Sequence, residues 1–144
     1  MTEQHEGGCV CGAMRFVALG DPERVSMCHC TWCQRRTGSA FGTEAVYLKD
    51  RVTFNGDTLK IYRHHSDQSG RWLDQHFCGS CGTNLGMTLE AVPEIRSLAA
   101  GTFDDPSWLK PGGSIPFRHI FLRSAHGWAD VPEGIARYEE HFRK

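Results

Sequence analysis

Seven cysteines in three tight groups constrain this chain more than any other feature. They stand as Cys9-Val10-Cys11, Cys28-His29-Cys30-Thr31-Trp32-Cys33 and Cys78-Gly79-Ser80-Cys81. An odd number leaves one thiol over in any complete disulfide framework. The spacings C-x-C and C-x-x-C suit a metal ion better. Thiolate-only ligation favours zinc over an iron–sulfur cluster or copper(I). A structural zinc takes four protein ligands, whereas a catalytic zinc takes three and keeps a position for water or substrate. Four plus three uses every cysteine, giving two zinc ions per chain. The natural partition pairs Cys9 and Cys11 with Cys78 and Cys81. It leaves Cys28, Cys30 and Cys33 for an open, catalytic site.

The residues around each group support that partition. Along a flat strand Cys9 and Cys11 share a face but stand about 6–7 Å apart. Gly7, Gly8 and Gly12 permit the sharper bend that brings them to one ion. Cys78-Gly79-Ser80-Cys81-Gly82 reads as a zinc knuckle, with Gly82 at positive φ so that N–H groups point at sulfur. The middle group differs, because no glycine follows it until Gly38. There Thr31-Trp32-Cys33-Gln34-Arg35-Arg36 reads as a short helical turn with Thr31 near its N-cap. Thiolates near a helix N-terminus and beside arginines have lowered pKa values, which suits a reactive centre. The competing reading is a second closed zinc, completed by His29, another histidine or an aspartate.

The rest of the sequence points to a mainly β chain, largely antiparallel, with few short helices. Sixteen glycines favour turns and short strands over long helices. Strand-like runs fall at residues 13–19, 24–27, 44–48, 51–54, 58–62, 71–77, 84–88, 96–100 and 119–122. Asn55-Gly56 predicts a hairpin between residues 52–54 and 59–62. Residues 133–142 predict a short C-terminal helix, and residues 104–113 a loop. The 144 residues suit one domain, 1–144, with its own core. The four tryptophans read first as packing residues, with Trp32 set apart by lying inside the open cluster.

Net charge is −1, and the basic residues form no stripe, so a nucleic-acid partner is not expected. No apolar run approaches the roughly 18 residues of a membrane span. The polar, acidic N-terminus lacks the apolar stretch of a signal peptide. The expected setting is the cytoplasm, where thiols stay reduced. The sequence carries no sign of oligomeric state.

Gly7-Gly8-Cys9-Val10-Cys11-Gly12, the run from Cys28 to Arg35, and Phe77-Cys78-Gly79-Ser80-Cys81-Gly82-Thr83 together resemble the glutathione-dependent formaldehyde-activating enzyme family, to which centromere protein V is related. Residues 100–106, His119-Ile120-Phe121, Ser124-Ala125 and Trp128 extend the resemblance over nearly the whole chain. It implies a β-tent fold, a structural zinc on Cys9, Cys11, Cys78 and Cys81, and a catalytic zinc on Cys28, Cys30 and Cys33. It implies carbon–sulfur lyase activity, forming S-hydroxymethylglutathione from formaldehyde and glutathione.

Three thiolates leave a zinc centre with a net charge of −1, a weaker Lewis acid than one held by three neutral histidines. A substrate thiol therefore suits the open position better than water. Arg35 and Arg36 are candidates for a substrate carboxylate, and Trp32 for a further substrate contact. The rival reading is a non-catalytic binding module held together by two structural zincs.

Overall fold

The computed structural model describes residues 3–141. Strands β1 (Gln4–Gly8), β2 (Arg15–Leu19) and β5 (Val52–Asn55) form an antiparallel sheet in the order β1-β2-β5. A larger sheet holds β3 (Arg24–Cys28), β4 (Gly42–Leu48), β6 (Leu59–His65), β7 (Trp72–Cys78), β8 (Asn84–Leu89), β9 (Ile95–Ala99), β10 (Phe117–Ile120) and β11 (Ala136–Arg137). Its order is β11-β10-β3-β4-β9-β8-β7-β6, antiparallel except where β10 meets β3 and β11. One α-helix, α1 (Thr31–Thr37), follows β3 directly. The mainly β class is as the sequence predicts.

Strand alternation sorts the side chains between two sides of the large sheet. Phe16 and Ala18 of β2 pack against Ala45 and Tyr47 of β4, Leu85 of β8 and Leu98 of β9. Phe103 meets Phe16 edge to face at 5.2 Å between ring centres. Burying each large apolar side chain here contributes roughly 1.5–3 kcal/mol. The Tyr47 hydroxyl donates to the Gly20 carbonyl at 2.9 Å, so its burial strands no polar group. The alternate residues, Glu44 and Val46 on β4 and Ile95 and Ser97 on β9, face a cavity on the other side. One face of the central strands is thus packed in an apolar core, and the other faces the cavity.

Two local expectations are corrected. Asn55-Gly56 does not close a hairpin: β5 pairs with β2, and β6 pairs with β7, so the chain here crosses between sheets. Gly56 is required for another reason. Its φ is 122°, and an added Cβ would lie 2.2 Å from the Ala13 carbonyl oxygen. The C-terminal segment is not helical where described. Gly134 takes φ 86°, and Ala136–Arg137 adds to the open edge of β10 as β11; the last expected helical residue, Phe142, lies outside the described residues. The helix cap is Cys30, with Thr31 beside it as the first helical residue. The polar N-terminal segment forms β1, because Gly7 lets it lie against the backbone of Thr102 and Phe103. Among the described residues no helix is long and apolar enough to cross a membrane.

Candidate metal centres and an adjoining cavity

The turn after β1 and the turn joining β7 to β8 bring four sulfurs together. Cys9, Cys11, Cys78 and Cys81 present ligand atoms all within 4.8 Å of one another. Sγ of Cys11 lies 3.6 Å from Cys9 Sγ and 3.8 Å from Cys78 Sγ. A tetrahedron with metal–sulfur bonds of about 2.3 Å has edges of about 3.8 Å, so the spacing fits zinc. Two similar turns shape the set. The N–H of Gly12 donates to Cys9 O at 3.1 Å, and that of Gly82 to Cys78 O at 2.7 Å. Both glycines sit in the left-handed region, at φ 80° and 79°. The sulfurs also accept from the chain: Met14 N–H donates to Cys9 Sγ at 3.2 Å. The Thr83 hydroxyl and backbone N–H lower Cys81 to about 5. That bias toward thiolate suits a ligand of a metal cation.

The second set comes from the end of β3 and the start of α1. Cys28, Cys30 and Cys33 offer sulfurs within 4.8 Å of one another. Cys30 is the N-cap, and its sulfur accepts the Cys33 N–H at 3.3 Å. Without a metal the crowded thiols share charge unequally. Hydrogen bonds from the Cys28 and Cys33 thiols, with backbone N–H groups of the first helical turn, lower Cys30 to about 3. Hydrogen bonding to Cys30 and Cys33, with burial, pushes Cys28 strongly upward. A divalent cation supplies the positive charge that three thiolates need together.

Beside this trio lies a cavity of about 630 Å³, bounded by the face of the large sheet, α1, the β6–β7 loop and residues 120–124. All three trio cysteines line it, and none of the other four does. Trp32 and Arg35 also line it. The Trp32 ring stacks on His64 at 5.3 Å. Arg36 lies elsewhere. Its guanidinium donates to Glu44 and, at 3.5 Å, to Cys33 Sγ, and it sits 5.1 Å from the Trp32 ring centre. The Arg36 and Glu44 side chains are 0% and 3% exposed. Burial opposes the Arg36 charge, but the Glu44 carboxylate and Cys33 sulfur hold its pKa above the ordinary range. Ser97 Oγ donates to the other Glu44 oxygen at 2.9 Å.

His29 points away from the sulfurs, as alternation along the chain requires. It is fully buried, and its Nε2 lies 2.9 Å from His119 Nδ1. Burial, then His126, lowers the pKa of His29. It is not among the groups placed to share an ion with the trio. Gln34 fastens α1 by donating to the His29 and Ser124 carbonyls, at 2.8 and 2.9 Å. Phe121, on the cavity wall, is the one non-glycine at positive φ among the described residues, at 57°. Its N–H donates to Glu140 O at 3.0 Å, which helps hold this strained turn beside the site.

Sequence reasoning passed over Arg24, Ser26, Glu44, His64 and Met87, all of which line the cavity. The first two carried a signal: Arg24, Ser26 and Cys28 alternate along one strand, so they share a face.

Comparison with known proteins agrees with this arrangement. The family described as "Glutathione-dependent formaldehyde-activating enzyme" matches residues 4–124. A Halomonas elongata protein named "Putative glutathione-dependent formaldehyde-activating enzyme" is 27% identical over 131 residues, covering 88% of this chain and 80% of its own. An uncharacterized lyase of Schizosaccharomyces pombe is 29% identical over 82 residues, 57% of this chain and 56% of its own. A crystal structure of a Rhodobacter sphaeroides protein superposes with a TM-score of 0.56 at 21% identity, covering 78% of this chain and 98% of that one. The match to the family model extends from β1 to the turn after β10 and spans both cysteine centres, so the chain belongs to the glutathione-dependent formaldehyde-activating enzyme family.

Proposed function

We propose that this chain is a zinc-dependent carbon–sulfur lyase acting on the adduct of a thiol and an aldehyde, with glutathione and formaldehyde the pair its family description suggests. One observation carries the division of labour. The three-cysteine centre opens on the cavity and the four-cysteine centre does not. Cys9, Cys11, Cys78 and Cys81 then hold a structural zinc, and Cys28, Cys30 and Cys33 a catalytic one. When bound at the trio, zinc supplies a Lewis-acidic position that a substrate thiolate can occupy.

The chain's own groups do the rest. Arg36 fixes the Cys33 sulfur and is itself fixed by Glu44, so it acts as a positioning residue. Trp32, stacked on His64, forms part of the cavity wall beside the sulfurs. Arg35 and Arg71 line the cavity rim against one carboxylate there, Asp67; Arg123 also lines it but is paired with Glu140, and Glu44 faces Arg36. That excess favours an anionic substrate, and a tripeptide thiol with two carboxylates fits it. Cleavage and formation of the C–S bond then follow from holding sulfur and carbonyl carbon together. In this reading the chain works as one domain, in the cytoplasm, on a small molecule and without a nucleic-acid or membrane partner.

Metal analysis with Cys30→Ser tests the reading. The parent protein should carry two zincs per chain. The variant should carry one, stay folded by circular dichroism, and fail to accelerate exchange between glutathione, formaldehyde and their adduct in NMR. A variant that unfolds would make the trio structural and favour the binding-module reading. A parent protein that leaves exchange at the spontaneous rate would remove this substrate pair.

A further inference from the structure

The cavity offers more apolar surface than a one-carbon aldehyde can use. Its volume of about 630 Å³ falls in the range of roughly 300–1,000 Å³ that holds drug-sized ligands. Its two halves differ in chemistry. The cationic residues Arg35, Arg71 and Arg123 are exposed, at the rim. The floor is the face of the large sheet; Arg24, Ser26, Glu44 and Ser97 keep it polar near β3 and β4, and strand register places apolar residues beyond them in two adjoining rows. Ser97 pairs with both Val46 and Met87, which puts these two in one row. Two residues along each strand lie Ile95 and Leu89, and Leu89 pairs with Leu73. Met87 packs against the cluster that contains Cys28 and Cys33. The apolar floor therefore begins beside the reactive sulfurs and runs away from them across four strands.

A hydroxymethyl group is one carbon and one hydroxyl and leaves such a floor bare. Apolar surface facing an open cavity favours a ligand that covers it. We infer that the carbon side of the adduct carries an apolar chain or ring of several carbons, seated on Met87, Leu89, Leu73 and Ile95, while the anionic thiol half meets the rim. This rests on the lyase reading and extends its substrates from the formaldehyde adduct to adducts of larger, apolar aldehydes. The reaction balances without an added oxidant. In R–CH(OH)–S–R′ the C–S bond breaks and its electron pair stays on sulfur. The hydroxyl oxygen gives up its proton as the C=O bond forms, and the sulfur takes up a proton on leaving as the thiol.

S-Methyl-, S-butyl- and S-hexylglutathione, thioethers that cannot be cleaved in this way, test the floor apart from catalysis. Calorimetry on the zinc-loaded full chain should show affinity rising about two- to fourfold per buried methylene, so that hexyl exceeds methyl by about 30-fold or more if all five added methylenes are buried. Leu89→Asn should flatten the series. A flat series in the parent protein, or no binding of the hexyl compound, overturns the inference. NMR exchange with the formaldehyde and hexanal adducts of glutathione tests the lyase reading separately. Rising affinity with turnover of neither adduct keeps the apolar floor and removes the lyase. Turnover with flat affinity removes the floor alone.

Discussion

Replacing Arg36 with methionine separates the fold from the metal centre. The wild-type guanidinium bridges Glu44 and Cys33, and both side chains of the ion pair are buried. The variant leaves the Glu44 carboxylate with the hydrogen bond from the Ser97 hydroxyl. Removing one partner of a buried pair costs about 3–5 kcal/mol. The same substitution removes the hydrogen bond to a trio sulfur. Loss of a group that orients a metal ligand weakens metal binding about 10- to 100-fold. Arg36→Met/Glu44→Met relieves the stranded carboxylate but restores nothing to Cys33. Urea unfolding of the zinc-loaded proteins should therefore show a large loss in the single variant, mostly recovered in the double. Chelator competition should show weakened binding of one of two zincs in both variants. If the double variant recovers metal affinity together with stability, the role assigned to the Cys33 hydrogen bond is wrong. Unchanged chelator competition in Arg36→Met would lead to the same conclusion.

Two further outcomes follow from single positions. Gly86→Ala should cost at least about 2 kcal/mol, because φ is 128° and an added Cβ would lie 2.0 Å from the Ser97 carbonyl oxygen; an unfolding midpoint equal to the parent's would contradict that close approach. Asp74 accepts two hydrogen bonds from Arg63, at 2.8 and 3.0 Å, and they hold its pKa below the reference of 3.8. Its folded pKa is depressed, so its stabilising effect is complete above the unfolded value and disappears as pH falls through the folded one. Stability measured from pH 5 downward should therefore fall less steeply in Arg63→Gln than in the parent, and equal slopes would argue that the pair is solvated away.

Much of the site was legible because metal chemistry is written in short spacings. Cys78 to Gly82 forms the expected turn, and Gly82 takes the left-handed backbone it was assigned. The partition of seven cysteines follows from ligand number, which does not depend on the rest of the fold. What escaped depends on distant partners. Asn55-Gly56 has the local chemistry of a hairpin, yet the partner of β5 is β2, some 35 residues earlier. The C-terminal segment has little pattern of its own and becomes a strand because β10 offers an open edge. Arg35 and Arg36 look equivalent in sequence, but neighbours on a helix point about 100° apart. One therefore reaches the cavity rim, and the other is buried beneath the thiolates. The apolar floor draws on β4, β7, β8 and β9, and only their register reveals it.

The four-cysteine centre joins residues far apart in the chain: Cys11 and Cys78 are separated by 67 positions. On the proposal that zinc occupies both centres, an ion gripped there is a removable staple. Closing a loop of that length in the unfolded chain stabilises the native state by about 4 kcal/mol, on the scale used for disulfides. A disulfide answers to the redox state of its surroundings, whereas this staple answers to free metal. Its midpoint is set by how tightly competing ligands hold zinc. The fraction of chains with the small sheet fastened to the large one should therefore track zinc supply. A cell short of zinc would lose the scaffold as well as the reactive centre, and clearance of the unfastened chains would lower the amount of protein rather than leave an inert apo form.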